Sequence, residues 1–235
     1  MAYTENETLE RIREELTSIE TVYKSSCVNW SGFTSDTKRR YTEIIAADIR
    51  HNFQLFDAIQ RITRERSYYS PSHARMRIDL EKSNRMEEIF AKRINRLEFK
   101  QMGRILDFQI PIKNSSRDLG IGKFDLISFS AKKKRMFLLE LKHGTNTETL
   151  LRAMLESFTY YKTVNENKLI NDFREIEQIS KETKTKPAVL VTPGCTAYSE
   201  LEQMEKGERP ELKKLAKALS ISFFTLGFQE NMIAY

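Results

Sequence analysis

Three side chains whose types and spacing suit metal-assisted hydrolysis stand in two consecutive apolar runs of a 235-residue chain. The first run, Lys123 to Ser130, holds Asp125 between Phe124 and Leu126. The second, Arg135 to Leu141, holds Glu140 between Leu139 and Leu141 and is followed at once by Lys142. Side chains alternate between faces along a strand, so Glu140 and Lys142 share one face and Leu139 and Leu141 the other. A charge in such a strand is costly to bury unless it is paired or bound to a metal. The short stretch Ala131 to Lys134 between the runs predicts an antiparallel hairpin, which lays the start of the first strand beside the end of the second. Asp125 and Glu140 then meet. Adjacent carboxylates repel, and a hard cation relieves them: Mg²⁺ prefers oxygen ligands and keeps several waters, so two carboxylates and the Leu141 carbonyl suffice as its protein ligands. A metal held there polarises a phosphate and acidifies a bound water. Lys142 either helps to deprotonate and orient that water or neutralises charge developing on the phosphate. The competing reading of Lys142 is a salt bridge that only neutralises Glu140.

The elements that must position this hairpin are legible on both sides. A helix is expected from about residue 84 to 97, with Met86, Ile89, Phe90, Ile94 and Leu97 in one stripe, and then a strand from Arg104 to Ile112. After the hairpin, Thr147 reads as the N-cap of a helix running through Val164. The Lys-rich turn KETKTKP then leads to a strand, Ala188 to Thr192. A helical stretch from Tyr198 to Leu219, interrupted near Gly207 and Pro210, precedes a last strand, Ile221 to Phe228. This order of helix, three strands, helix, strand, helix, strand predicts an α/β fold, a mixed sheet with helices on its faces.

Ahead of it, Leu9, Ile12, Leu16, Ile19 and Val22 make a helical stripe whose N-cap is Thr4, with Glu7 completing a capping box. Residues 24–34 read as a loop, and a long helix is expected from about Ser35 to Arg64. The segment RSYYSPSHAR sets the expected boundary between a helical extension, 1–75, and a second domain, 76–235. The stripes on the N-terminal helices need a covering surface, either the α/β domain itself or a second copy of the chain in a homodimer.

The arrangement Asp125…Glu140-Leu141-Lys142, preceded by a helix and followed by helix and strand, resembles the PD-(D/E)XK nuclease superfamily over roughly residues 84–228. The resemblance implies a restriction-endonuclease-like αβββαβ core. It also implies Mg²⁺, or Mn²⁺ as a substitute, held by Asp125 and Glu140, with Lys142 assisting attack of water on a phosphodiester bond of nucleic acid, DNA by preference. Phe124 stands where the family has Pro. Members often add a carboxylate from the first helix. Glu87 and Glu88 are the candidates, and at about 100° per residue Glu87 falls on the flank of the apolar stripe, which favours it. Glu156-Ser-Phe-Thr-Tyr160 is similar to a Gln-x-x-x-Tyr element of one branch of the superfamily, with Glu in place of Gln. Tyr160 and Tyr161 read equally as half-buried core aromatics. A catalytically inactive nucleic-acid-binding or assembly module on the same fold is the alternative function.

Bulk properties agree with a polyanionic partner without requiring one. Lys and Arg number 39 against 33 Asp and Glu, a formal charge of +6. Lys132, Lys133, Lys134 and Arg135 form the basic loop of the hairpin itself and are the expected nucleic-acid contacts. No apolar run reaches the roughly 20 residues of a membrane span, and the N-terminus lacks the plan of a secretory signal. Cys27 and Cys195 form neither a disulfide framework nor a zinc spacing, so a cytoplasmic setting is expected. His143, directly after Lys142, reads as a turn histidine, His51 and His73 have no spacing suited to zinc or to a general base, and neither a nucleophile elbow nor a phosphate-binding loop motif is present.

Overall fold

The hairpin lies at the centre of a six-stranded sheet in the computed structural model, which describes residues 2–71, 86–114, 122–177 and 179–227. The strands are β1 (Glu98–Phe99), β2 (Gly103–Pro111), β3 (Lys123–Ser130), β4 (Arg135–Lys142), β5 (Lys184–Val191) and β6 (Ser222–Thr225), and they pair in chain order. The first four form an antiparallel meander, while β5 and β6 add in parallel. Parallel neighbours require long crossovers. Helices α4 (Leu150–Thr163) and α5 (Glu166–Glu177) make the first, and α6 (Thr196–Glu205) and α7 (Pro210–Ala218) the second. The fold is thus mixed α/β, a mixed sheet flanked by helices. No helix among the described residues is long and apolar enough to cross a membrane.

Strand alternation sorts the core into two layers. Met136, Leu138, Val189 and Val191 pack with α4, α6, α7 and the N-terminal helices. Phe137, Leu139, Leu141 and Leu190 face α3 (Met86–Ile94). Glu140 and Lys142 continue the first set and Leu141 the second, as alternation requires.

Several elements differ from expectation. The long helix read over 35–64 is α-helical only at α2 (Tyr41–His51), followed by a 3-10 turn, Phe53–Ala58. Asn52 leaves helical geometry (φ −103°, ψ 23°), and its Nδ2 donates to the Asp48 carbonyl at 2.9 Å. A short polar side chain that bonds nearby backbone competes with helix continuation in this way. Helix α1 (Glu5–Glu15) has the expected Thr4–Glu7 capping box but gives way to 3-10 geometry over Leu16–Lys24, where Thr17 and Thr21 bond carbonyls three residues back. The N-cap of α4 is Thr149, not Thr147; its hydroxyl accepts from the Arg152 N–H at 3.2 Å. Strand β5 begins at Lys184, inside the stretch read as a turn, and includes Pro187. Pro187 offers no N–H to the ladder; beside it the Ser157 hydroxyl of α4 accepts from the Ala188 N–H at 3.1 Å. Helix α5 and strand β1 were not expected. Residues 84–85, the expected segment 72–76 about the boundary, and the expected strand end at Phe228 lie outside the described residues.

The stripes of the N-terminal helices are covered by this chain's own α/β layer: Ile12, Ile19, Ile45, Ile49 and Phe56 join one continuous cluster with residues of α4, α6 and α7. Buried polar links run through the same layer. The Glu43 carboxylate of α2 accepts from the N–H groups of Glu211 (2.9 Å) and Leu212 (3.0 Å) in the first turn of α7, which caps that helix from outside. Arg209 reaches Thr42 (2.6 Å) and pairs with Glu200 (3.2 Å), and Glu200 accepts from Leu150 N–H at the start of α4 (2.7 Å).

Candidate carboxylate–lysine site

The site forms where β3 and β4 part. Their ladder pairs Ser130 with Arg135 through Leu126 with Leu139, and the same register carried one step outward sets Asp125 opposite Glu140. Beyond Leu139 the Leu141 N–H donates to the Asp125 carboxylate at 2.9 Å instead of to the β3 backbone. The N–H and C=O of one strand residue point to the same neighbouring strand. The Leu141 carbonyl therefore also faces the β3 side, where Asp125 stands. The other Asp125 oxygen accepts from Gln109 Nε2 at 2.9 Å, and Gln109 holds a left-handed φ of 51° in β2 to present it. Gly122, just ahead of β3, leaves the space that the Tyr160 ring fills: a Cβ there would stand 1.8 Å from the Tyr160 hydroxyl.

On the α4 side, Lys142 is 3% exposed and its ammonium bonds Glu140 at 2.8 Å. It also pairs with Glu148 and lies 3.7 Å from Glu156. Burial works against the Lys142 charge, but Glu140, Glu156, Glu148 and Asp125 together outweigh it and hold the ammonium well above the ordinary lysine range. Glu140 is pushed well above the carboxylate range by burial and then by Asp125 and Glu156, which outweigh Lys142. Burial also raises Asp125. Tyr160 donates to Glu156 at 2.9 Å, and its hydroxyl meets that of Tyr23 at 3.2 Å, so the Glu156–Tyr160 pair ties α4 to the N-terminal segment. Tyr160 is buried, as the core reading of that residue has it, and it also reaches the site through Glu156.

On the α3 side, the Glu87 carboxylate accepts from Asn146 Nδ2 (2.8 Å) and the His143 N–H (3.3 Å) and lines an open hollow with Gln109, Lys123 and Asp125. Burial raises its pKa, with Asp125 adding to the shift and Lys142 opposing it. Glu88 pairs instead with Lys92, one turn along, at 2.9 Å. His143 stacks on Phe90 of α3 (centroids 4.1 Å apart) with Nδ1 2.8 Å from the Thr192 hydroxyl, and burial and Arg93 lower its pKa.

The expected residues Glu87, Asp125, Glu140, Leu141 and Lys142 thus converge, while Lys132, Lys133, Lys134 and Arg135 lie at the other end of the hairpin. Arg135 and Glu140 are five steps apart along β4, about 17 Å at roughly 3.3 Å per residue. Two of those lysines are engaged within the molecule: Lys133 donates to the Gln101 carbonyl (2.7 Å) and Lys134 pairs with Glu182 (2.6 Å). Sequence reasoning missed Glu148, Gln109 and Asn146. Glu148 and Asn146 sit in the loop after β4 without a distinguishing spacing, and the role of Gln109 depends on a backbone twist that no pattern announces.

Among the described residues no three His, Cys, Asp or Glu side chains stand together so as to hold a metal by themselves. A divalent ion would rely on Asp125, Glu140 and the Leu141 carbonyl, all hard oxygen donors that suit Mg²⁺ or Mn²⁺. Comparison of the chain with protein-family models, with curated proteins and with solved structures gives no match.

Proposed function

We propose that the protein is a divalent-metal-dependent hydrolase of phosphodiester bonds in nucleic acid, DNA by preference, on a restriction-endonuclease-like αβββαβ core. One observation carries this reading. Five carboxylates, Glu87, Asp125, Glu140, Glu148 and Glu156, crowd the point where β3 and β4 part, against the cations Lys142, Arg152 and Lys123. Glu140 is buried and the other four are half-buried, and that excess of negative charge is unfavourable without a further cation. Asp125 and Glu140 would hold the ion with the Leu141 carbonyl. When bound, the ion supplies charge for the phosphate and an acidified water. Lys142 is protonated in this environment, so its part is to neutralise charge on the phosphate and to hold the water by donating to it, rather than to take its proton. Glu148 and Glu156 keep the Lys142 ammonium in place, and Glu87 faces the approach from α3, where it can accept from a water.

The test is cleavage of labelled single- and double-stranded DNA and of RNA by the purified protein in Mg²⁺, Mn²⁺ or chelator. Metal-dependent cleavage that disappears in both Asp125→Ala and Lys142→Ala is expected. Undiminished cleavage by both variants, or no cleavage of any substrate by the parent, overturns it. The second reading, an inactive nucleic-acid-binding module, is favoured by the direct Lys142–Glu140 pair, which engages one metal-binding oxygen. Calorimetric Mg²⁺ titration separates the two: an inactive site gives no binding heat that Glu140→Gln removes.

A further inference from the structure

At the end of β4 remote from the carboxylates, two hollows of about 800 and 510 Å³ lie side by side and share Arg135, Tyr161 and Thr185 in their walls. Both volumes fall within the range of ligand pockets. Seven cations line them: Arg61, Arg135, Lys162, Arg174, Lys181, Lys184 and Lys186. Lys162 pairs with Asp57 at 2.8 Å; none of the other six takes part in an ion pair among the described residues, whereas the carboxylates of the same walls are engaged. Glu166 accepts from the Thr185 N–H at 2.6 Å, and Glu182 pairs with Lys134. The Thr183 and Thr185 hydroxyls in these walls are buried and have no hydrogen-bond partner among the described residues. The half-buried Tyr161 ring, with Phe53 and Phe158 beside it, supplies an aromatic floor. Unpaired cations, idle hydroxyl donors and an aromatic face in one trough match an unpaired polynucleotide strand: phosphates on the cations, a base on the ring. A duplex keeps its base faces stacked on each other and leaves Tyr161 nothing to receive.

We infer that this trough, formed by α4, α5, the start of β5 and the residues around Arg61, is a single-strand nucleic-acid-binding groove separate from the carboxylate–lysine site. The inference rests on the nucleic-acid reading above, though not on catalysis. It is tested by fluorescence anisotropy of the full-length protein with a labelled single-stranded oligonucleotide in chelator, so that binding is read without cleavage. Lys181, Lys184 and Arg61 are exposed, so their reversal leaves folding intact. Lys181→Glu/Lys184→Glu and Arg61→Glu should each weaken binding at least tenfold, and the double variant should make the log–log salt slope shallower by roughly 0.7 per phosphate contact removed. Tyr161→Leu should weaken single-strand binding severalfold and leave any duplex binding unchanged. Lys213→Glu, at an exposed position of α7, should bind within twofold of the parent. Binding by the groove variants within twofold of the parent overturns the groove, as does equal loss in Lys213→Glu, which would mean diffuse charge. Displacement by millimolar inorganic phosphate or a mononucleotide as readily as by unlabelled strand also overturns it, in favour of a small-phosphate pocket. Cleavage by the same groove variants in Mg²⁺ is scored separately, so the groove can hold while cleavage fails, or fail while cleavage holds.

Discussion

The two ends of β4 carry opposite chemistry. At its C-terminal end Glu140 and Lys142 are buried, with further carboxylates crowding Glu140 and surrounding the Lys142 ammonium; at its N-terminal end Arg135 opens onto a trough of cations of which only Lys162 pairs with a carboxylate among the described residues. One eight-residue strand carries a site short of positive charge at one end and a site short of negative charge at the other. The difference lies in burial. Desolvation raises the pKa of Glu87, Asp125 and Glu140 at the carboxylate end, while Arg61, Lys181 and Lys184 of the trough are exposed to solvent. A substrate carrying phosphates suits both ends, one through a bridging cation and the other directly.

The largest expected effect separates chemistry from grip. Asp125→Asn should reduce metal-dependent cleavage by about 10²-fold or more, on the scale of losing one charge-stabilising group, and leave strand affinity in chelator unchanged. Lys181→Glu/Lys184→Glu should do the reverse at saturating substrate. Steady-state kinetics on a labelled strand checks both: if the groove variant loses turnover and keeps KM, the two ends are not the independent sites described.

Stability sharpens the same contrast. Lys142→Met removes the one ammonium among Glu140, Glu148 and Glu156 and should cost about 3–5 kcal/mol at neutral pH, the scale of breaking a buried pair. Lys184→Ala, at the solvated end, should stay within about 0.5 kcal/mol of the parent. Denaturant melts of both variants give the comparison. Equal effects would mean that the carboxylates around Lys142 are screened after all.

Much of this was legible in the sequence, and what was not has physical reasons. Apolar alternation fixed β3 and β4 and the shared face of Glu140 and Lys142, because side-chain parity in a strand is independent of tertiary context. Helical angle favoured Glu87 over Glu88; both line the hollow beside Asp125, Glu87 accepting from Asn146 and the His143 N–H while Glu88 pairs with Lys92 along its own helix. Charge position was less readable. Lys132 to Lys134 share a hairpin with Glu140 in sequence, yet an antiparallel hairpin puts its turn as far from its open end as the strands allow. Asn52 ended a helix whose apolar stripe carried on through Phe56, since the stripe reports burial and not backbone geometry. The trough could not be read at all, because its cations come from residues 61, 135, 162, 174, 181, 184 and 186 and meet only once α5 and β5 are placed.

A third expectation follows from protonation. Glu87, Asp125 and Glu140 have raised pKa values, so between the ordinary carboxylate range and those raised values the folded protein holds more protons than the unfolded one. Stability of the metal-free protein therefore falls as pH rises through that window. His143, lowered by burial, works in the opposite sense up to about pH 6.5. The informative quantity is thus the difference between the parent and Glu140→Gln: the parent should lose melting temperature relative to the variant as pH climbs from 5 to 8. Mg²⁺ should restore it, because the ion binds the ionised carboxylates. A difference that does not change with pH would place Glu140 in the ordinary range.

The smallest expected effect lies at the open end. Lys134 holds the Glu182 carboxyl below the usual range, but both side chains are largely exposed, at 60% and 72%. Such a pair is screened by water and salt and adds nothing measurable to stability. Glu182 nevertheless stands in the wall of the cationic trough, where its charge opposes an incoming phosphate. Glu182→Gln should therefore leave the melting temperature unchanged and tighten strand binding about twofold at low ionic strength, with the gain vanishing as salt is raised above roughly 0.15 M, where screening acts within about 8 Å. Anisotropy titrations at two salt concentrations read this directly. The same substitution at the other end of β4, Glu140→Gln, should move stability and metal binding and leave strand binding alone, because there the charge acts on groups the protein has already buried.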